Sequence, residues 1–271
     1  MFRMNVVDRL RTVYLDGSFG DRKVHLHLFT PDQPFRDLVV VFHGVHGNAT
    51  PEEGNKYGDL GRMIAQRGAA AAVVETSRLR RDRQAFEGDK NRWAVEAFSG
   101  KTFAQEIQDL AWAVRGATEE VEAPRLWLWG FSLGGIGAML IASGLCSSLG
   151  VDSPASEVEG VVVSGTGDVL RDTADLGMLK LPILNNLPDR SLLQDAARNL
   201  KASFFASFRG TEDDLFGVAS CRRLVDLVPL PEEDKFMQEL PGVDHSFRMM
   251  NGQPSREPLR LMVDRVRLRW G

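Results

Sequence analysis

Three residue types in this 271-residue chain could act together on a carbonyl: a serine framed by glycines, a histidine in a polar loop and an acidic turn. Ser132 stands in Gly130-Phe131-Ser132-Leu133-Gly134, directly after the uncharged run Trp127-Leu128-Trp129. A serine hydroxyl is a weak nucleophile at neutral pH and needs a base within hydrogen-bond reach. His245, in Asp244-His245-Ser246-Phe247, is the best base available, because its loop is polar and follows a predicted strand. His25 and His27 alternate with Val24, Leu26 and Leu28, which predicts a packed strand face instead. Such a base is oriented by a carboxylate that accepts its Nδ1–H and stabilises the imidazolium. Glu212, Asp213 and Asp214, after Gly210, are all chemically able to do this.

The elements that must hold these groups follow from hydrophobic period. Segments 12–15 and 23–29, around a turn at 16–20, read as an antiparallel edge pair. Segments 37–42, 69–74, 126–129, 158–164, 203–208 and 235–240 read as further strands, most of them uncharged runs suited to burial on both faces. Helical period covers 57–67, 101–116, 135–149, 217–228 and 257–270. Strand–helix alternation predicts an α/β fold: a mostly parallel eight-stranded sheet with helices on both faces. Segment 77–100 reads as an irregular charged excursion. Segment 168–200, with no clean period, reads as a small cap insertion in a single domain spanning 1–271. In an open parallel sheet, ligands bind beyond the carboxyl ends of the strands. Ser132, Asp213 and His245 each follow a predicted strand there.

The chain order Ser, Asp, His, with the serine on a strand–turn–helix elbow, resembles the α/β-hydrolase superfamily over nearly the whole chain. The motifs that carry the resemblance are His43-Gly44, Gly130-Phe131-Ser132-Leu133-Gly134, Gly210-Thr211-Glu212-Asp213 and Asp244-His245-Ser246-Phe247. The resemblance implies Ser132 as nucleophile, His245 as base and Asp213 as the orienting acid. It also implies backbone N–H groups of Leu133 and Val45 as the oxyanion hole. His43 is expected to shape the backbone beside that hole. His43, His46 and Met178 are the expected substrate contacts.

The loop His43-Gly44-Val45-His46-Gly47-Asn48 is similar to that of carboxylesterases, cinnamoyl esterases and dienelactone hydrolases. Many of those carry an Asp-x-Arg-Gly-x-Gly turn after the next strand, where this chain has Glu75-Thr76-Ser77-Arg78-Leu79-Arg80. The expected activity is hydrolysis of a small-molecule carboxylic ester, without metal or cofactor. A thioesterase, an acylaminopeptidase-like amide hydrolase and a non-catalytic small-molecule binder share the fold.

Other features bound the reading. The arginine-rich stretch 78–83 could border the pocket and bind an anion, or be a solvated loop. Phe86, Trp93, Phe98 and the apolar residues 178–184 could line an acyl pocket, or pack a lid on the core. The formal charge of -4 argues against a nucleic-acid partner. No apolar run reaches membrane-spanning length, and the first residues lack the apolar core of a secretory signal. Two distant cysteines, Cys146 and Cys221, give no disulfide framework or zinc spacing, which predicts a reducing cytoplasm.

Overall fold

A computed structural model describes residues 9–270, apart from 46, 155, 173–180 and 250–254. Eight strands form one sheet, in the order β1-β2-β4-β3-β5-β6-β7-β8. β1 (Arg9–Asp16) and β2 (Lys23–Thr30) are the expected antiparallel edge pair, and β2 pairs antiparallel with β4 (Ala70–Glu75). Every other pairing is parallel, through β3 (Asp37–Phe42), β5 (Arg125–Phe131), β6 (Val158–Ser164), β7 (Phe204–Glu212) and β8 (Lys235–Asp244).

The uncharged strand runs are buried on both faces, and alternate residues enter two different cores. Val39, Val41, Trp127 and Trp129 pack with α1 (Lys56–Gln66) and α7 (Glu257–Val266). Val40, Phe42, Leu126 and Leu128 pack under α3 (Phe103–Glu120) and α4 (Leu133–Ser143). Some of the helices start where a side chain satisfies their first N–H groups. Asn55 caps α1, and Thr102 with Gln105 forms a capping box on α3.

Two helices occupy segments that read as irregular. α2 (Lys90–Ala97) is short and polar; it buries Trp93, Ala94 and Ala97 and is capped by Asp89. α5 (Arg190–Arg198), capped by Asp189, buries Leu193, Ala196 and Ala197. Beyond it, α6 (Val218–Leu227) runs close to the expected span. The helix expected over 135–149 starts two residues earlier. It stops at Gly144, whose φ of 76° ends the α-helix before a 3-10 turn at Leu145–Leu149.

β7 and β8 extend past their expected ends and stay paired as far as Glu212 and Asp244. Asp213 and His245 therefore leave the sheet one residue beyond a paired position. Among the described residues, no helix is long and apolar enough to cross a membrane.

Candidate active site

Ser132 sits between the last residue of β5 and the first of α4, with φ 50° and ψ −115°. A non-glycine residue in this region is strained and must be held by its surroundings. Here its N–H donates to the Ser164 carbonyl (2.8 Å), while its own carbonyl accepts from the Gly135 N–H (2.9 Å) and Thr166 Oγ1 (3.0 Å). The flanking glycines are sterically required. A Cβ on Gly130 would strike the Gly134 carbonyl, and one on Gly134 would come within 2.6 Å of the His43 carbonyl oxygen. Strand, turn and helix close on one another, and Oγ is left free.

His245 Nε2 lies 3.1 Å from Ser132 Oγ, and His245 Nδ1 lies 2.9 Å from Asp213 Oδ2. Asp213 has no solvent exposure. Burial alone would raise its pKa. The His245 hydrogen bond and charge, with the N–H groups of Phe216 and Leu215 on Oδ1 (3.0 and 2.9 Å), outweigh burial and lower it. An ionised Asp213 makes Nδ1 the donor and leaves Nε2 to accept from the serine hydroxyl. The acidic turn is itself braced. Arg209 reaches the Phe216 and Asp213 carbonyls (2.8 and 3.2 Å), and Arg171 reaches the Asp213 carbonyl (3.0 Å). The neighbouring acids do not approach His245 in this way: Glu212 and Asp214 are exposed, and Glu212 contacts Thr211.

The loop after β3 packs directly against the serine, since a Cβ on Gly44 would stand 3.2 Å from Ser132 Cβ. Gly44 N–H is occupied by Tyr57 Oη (3.0 Å). Leu133, as the first residue of α4, has an N–H with no intrahelical acceptor. Val45 and Leu133 both stand beside Ser132 in the pocket wall.

His43 is 2% exposed and absent from that wall, which corrects the expectation of a substrate contact. Its Nε2 meets two obligate donors, Arg78 Nη2 (3.2 Å) and the Thr76 N–H (3.3 Å), so Nδ1 carries the proton and donates to the Gly44 carbonyl (2.8 Å). Burial pushes its pKa down to about 4, aided by Arg78, and the ring is neutral. His46 and Met178 lie outside the described residues.

Stretch 78–83 divides: Leu79 is exposed and the Arg80 and Asp82 side chains are half-buried, whereas Arg78 turns inward. Arg78 is wholly buried; it donates to the Thr76 and Gly47 carbonyls (both 3.1 Å) and lies 3.3 Å from Glu75. Trp93 and Phe98 stack on its guanidinium at 5.4 and 5.0 Å instead of lining a pocket. Arg80 pairs with Asp82 and Glu96, and Arg81 with Asp21 and Glu75. Arg78 thus supports the Gly44–Gly47 loop from behind, a role its charge hides in the sequence.

An apolar pocket of about 380 Å³ opens beside Ser132. Ile136, Val169, Leu184, Leu187, Leu193 and Phe216 are among the apolar residues of its wall. Asp168 also lines it, with its carboxylate taken up by Arg190, Arg223, Gln194 and Ser220. Among the described residues of the apolar segment 178–184, Leu184 is the one found in this wall.

No protein-family model and no curated protein matches the sequence. Solved structures do match in fold. The esterase domain of a Rhodothermus marinus protein superposes with TM-score 0.60 at 17% identity, over 97% of this chain and 99% of that one. A dienelactone hydrolase from Anabaena variabilis gives 0.56 at 17% identity, over 96% of both chains. A puromycin-hydrolyzing peptidase from Mycobacterium tuberculosis gives 0.64 at 15% identity, over 98% of this chain but 40% of that one. The chain has the α/β-hydrolase fold.

Proposed function

We propose that this α/β-hydrolase-fold chain is a serine hydrolase that cleaves a carboxylic ester of a small molecule through an acyl-enzyme on Ser132. The observation that carries the reading is the continuous chain Ser132 Oγ, His245 Nε2, His245 Nδ1, Asp213 Oδ2, with links of 3.1 and 2.9 Å. Similarity to esterase structures supports it at the level of fold.

In the first half-reaction, Ser132 Oγ attacks the ester carbonyl carbon while His245 Nε2 takes the hydroxyl proton. The carbonyl electron pair moves onto oxygen, where the N–H groups of Val45 and Leu133 receive it. Asp213 stabilises the imidazolium. Collapse breaks the bond to the alcohol, which leaves with the proton from His245. Water then donates a proton to His245 and adds to the acyl carbon. Ser132 Oγ departs as the leaving group and regains its proton.

The pocket wall, which takes Asp168, Val169, Leu184, Leu187 and Leu193 from the proposed cap insertion of a single domain, favours an apolar acyl group. Buried, unpaired Cys146 and Cys221 suit a reducing compartment such as the cytoplasm. Rapid mixing with a p-nitrophenyl ester tests the mechanism. A burst of nitrophenol before the steady state supports an acyl-enzyme, and turnover undiminished in Ser132→Ala refutes it.

A further inference from the structure

Away from the serine, one place in the sheet gathers buried polar and titratable side chains. His27 Nε2, Glu75 Oε1 and Arg81 Nη1 are buried and make no hydrogen bond of good geometry, although the Glu75 carboxylate is ion-paired to Arg78 Nη1 (3.3 Å) and Arg81 Nη1 (2.7 Å). His27 and Glu75 are 4% and 3% exposed, so water does not reach them freely.

The β-ladder explains why they converge. His25 and His27 are two residues apart on β2 and share a face. Glu75, at the end of β4, is the residue paired with His25 across the antiparallel β2–β4 ladder. A His-x-His pair and a carboxylate are thereby fixed side by side. His25 Nδ1 stands 3.4 Å from Glu75 Oε2, and one ligating atom from each of the three residues lies within 4.8 Å of the others. A tetrahedral centre with bonds of about 2.0–2.2 Å sets its ligand atoms about 3.4 Å apart. Side-chain movement of about 1 Å closes the set.

The support around these ligands is of the kind metal-binding histidines have. Thr12 Oγ1, on β1, lies 2.9 Å from His27 Nδ1 and orients the ring, which leaves Nε2 as the free nitrogen. Arg81 is anchored by Asp21 (2.7 Å) and the Lys23 carbonyl (2.7 Å). Its Nη1 approaches Glu75 Oε2 to 2.7 Å without making a hydrogen bond.

We propose that His25, His27 and Glu75 bind one divalent transition metal, with zinc the natural fit to two imidazoles and a carboxylate, and with water in the fourth position. Arg81 Nη1 is the donor for that water. The site would tie β2 to β4 at the strand end that leads into Arg78. It stands independently of the hydrolase reading.

The test is Zn²⁺ alone, titrated by calorimetry into the metal-free full chain, with Co²⁺ absorption as a report on geometry. The expected result is one saturable equivalent, tetrahedral-type Co²⁺ bands and a melting temperature that rises with Zn²⁺. Thr12→Val should weaken binding about 10–100-fold through loss of orientation. His27→Ala should abolish it, and His25→Ala, at the more exposed ligand, does the same if the buried variant fails to fold. Absence of one-equivalent binding to the wild type overturns the proposal and leaves buried water as the occupant. Binding unchanged in both histidine variants overturns it as well.

Discussion

Arg78 Nη2 lies 3.2 Å from His43 Nε2, and both side chains are buried behind the loop that runs from Gly44 to Gly47. The guanidinium also holds the Gly47 carbonyl, and the imidazole holds the Gly44 carbonyl. Arg78 is therefore a positioning residue for the proposed Val45 donor. Arg78→Met is expected to lower kcat about 10–100-fold, because a small displacement of a transition-state donor is costly, while KM stays within about 2-fold. Steady-state kinetics with a neutral ester decide this. Equal losses in kcat and folded fraction would mark Arg78 as merely structural. Arg78→Lys is not expected to rescue, since a single ammonium cannot span three acceptors.

The orienting acid is separable from its neighbours. Asp213→Asn should lower kcat by about 10⁴ by favouring the wrong His245 tautomer. Asp214→Asn should stay within about 3-fold, because Asp214 is exposed and surface substitutions of this kind are near neutral. A large loss only in Asp214→Asn reverses the assignment.

Most of the sheet is readable in strand composition, because strands buried on both faces need continuous apolar runs such as Leu38, Val39, Val40, Val41 and Phe42. Ser132, Asp213 and His245 are readable because each interrupts such a run with polar or glycine-rich chain at a strand end. Other features depend on tertiary partners. α5 is masked because its buried positions are only Leu193, Ala196 and Ala197 among charged residues, although Asp189 is an N-cap signal. Arg78 reads as solvated until Gly47, Thr76 and His43 surround it. Trp93 and Phe98 read equally as pocket lining or as lid packing until Arg78 is seen against both rings.

His43 makes stability depend on pH. Its folded pKa is depressed from 6.5 to about 4, so the unfolded chain binds the proton more readily between those values. The contribution is fully present above pH 6.5 and is lost as pH falls toward 4. A shift of this size corresponds to about 3 kcal/mol. Imidazole NMR should find the His43 ring neutral down to about pH 4, with His25 lowered alongside it, and denaturation midpoints should decline across the same window. A His43 that titrates near 6.5 contradicts the buried network.

The pocket predicts acyl preference. Leu187→Trp, at its wall, should cut kcat/KM for a hexanoyl ester about 10–200-fold relative to acetyl, since each methylene in an apolar pocket is worth about 1–3 kcal/mol. Competition assays with p-nitrophenyl esters of increasing length give the ratio. An unchanged ratio would place the acyl group elsewhere.

The central claim is that Ser132 Oγ is an activated nucleophile. A fluorophosphonate probe followed by intact-mass spectrometry tests it most directly. The account predicts one adduct per chain on Ser132, none in Ser132→Ala, and strongly slowed labelling in His245→Ala. A folded wild-type chain that stays unlabelled, or an adduct that persists in Ser132→Ala, would contradict it.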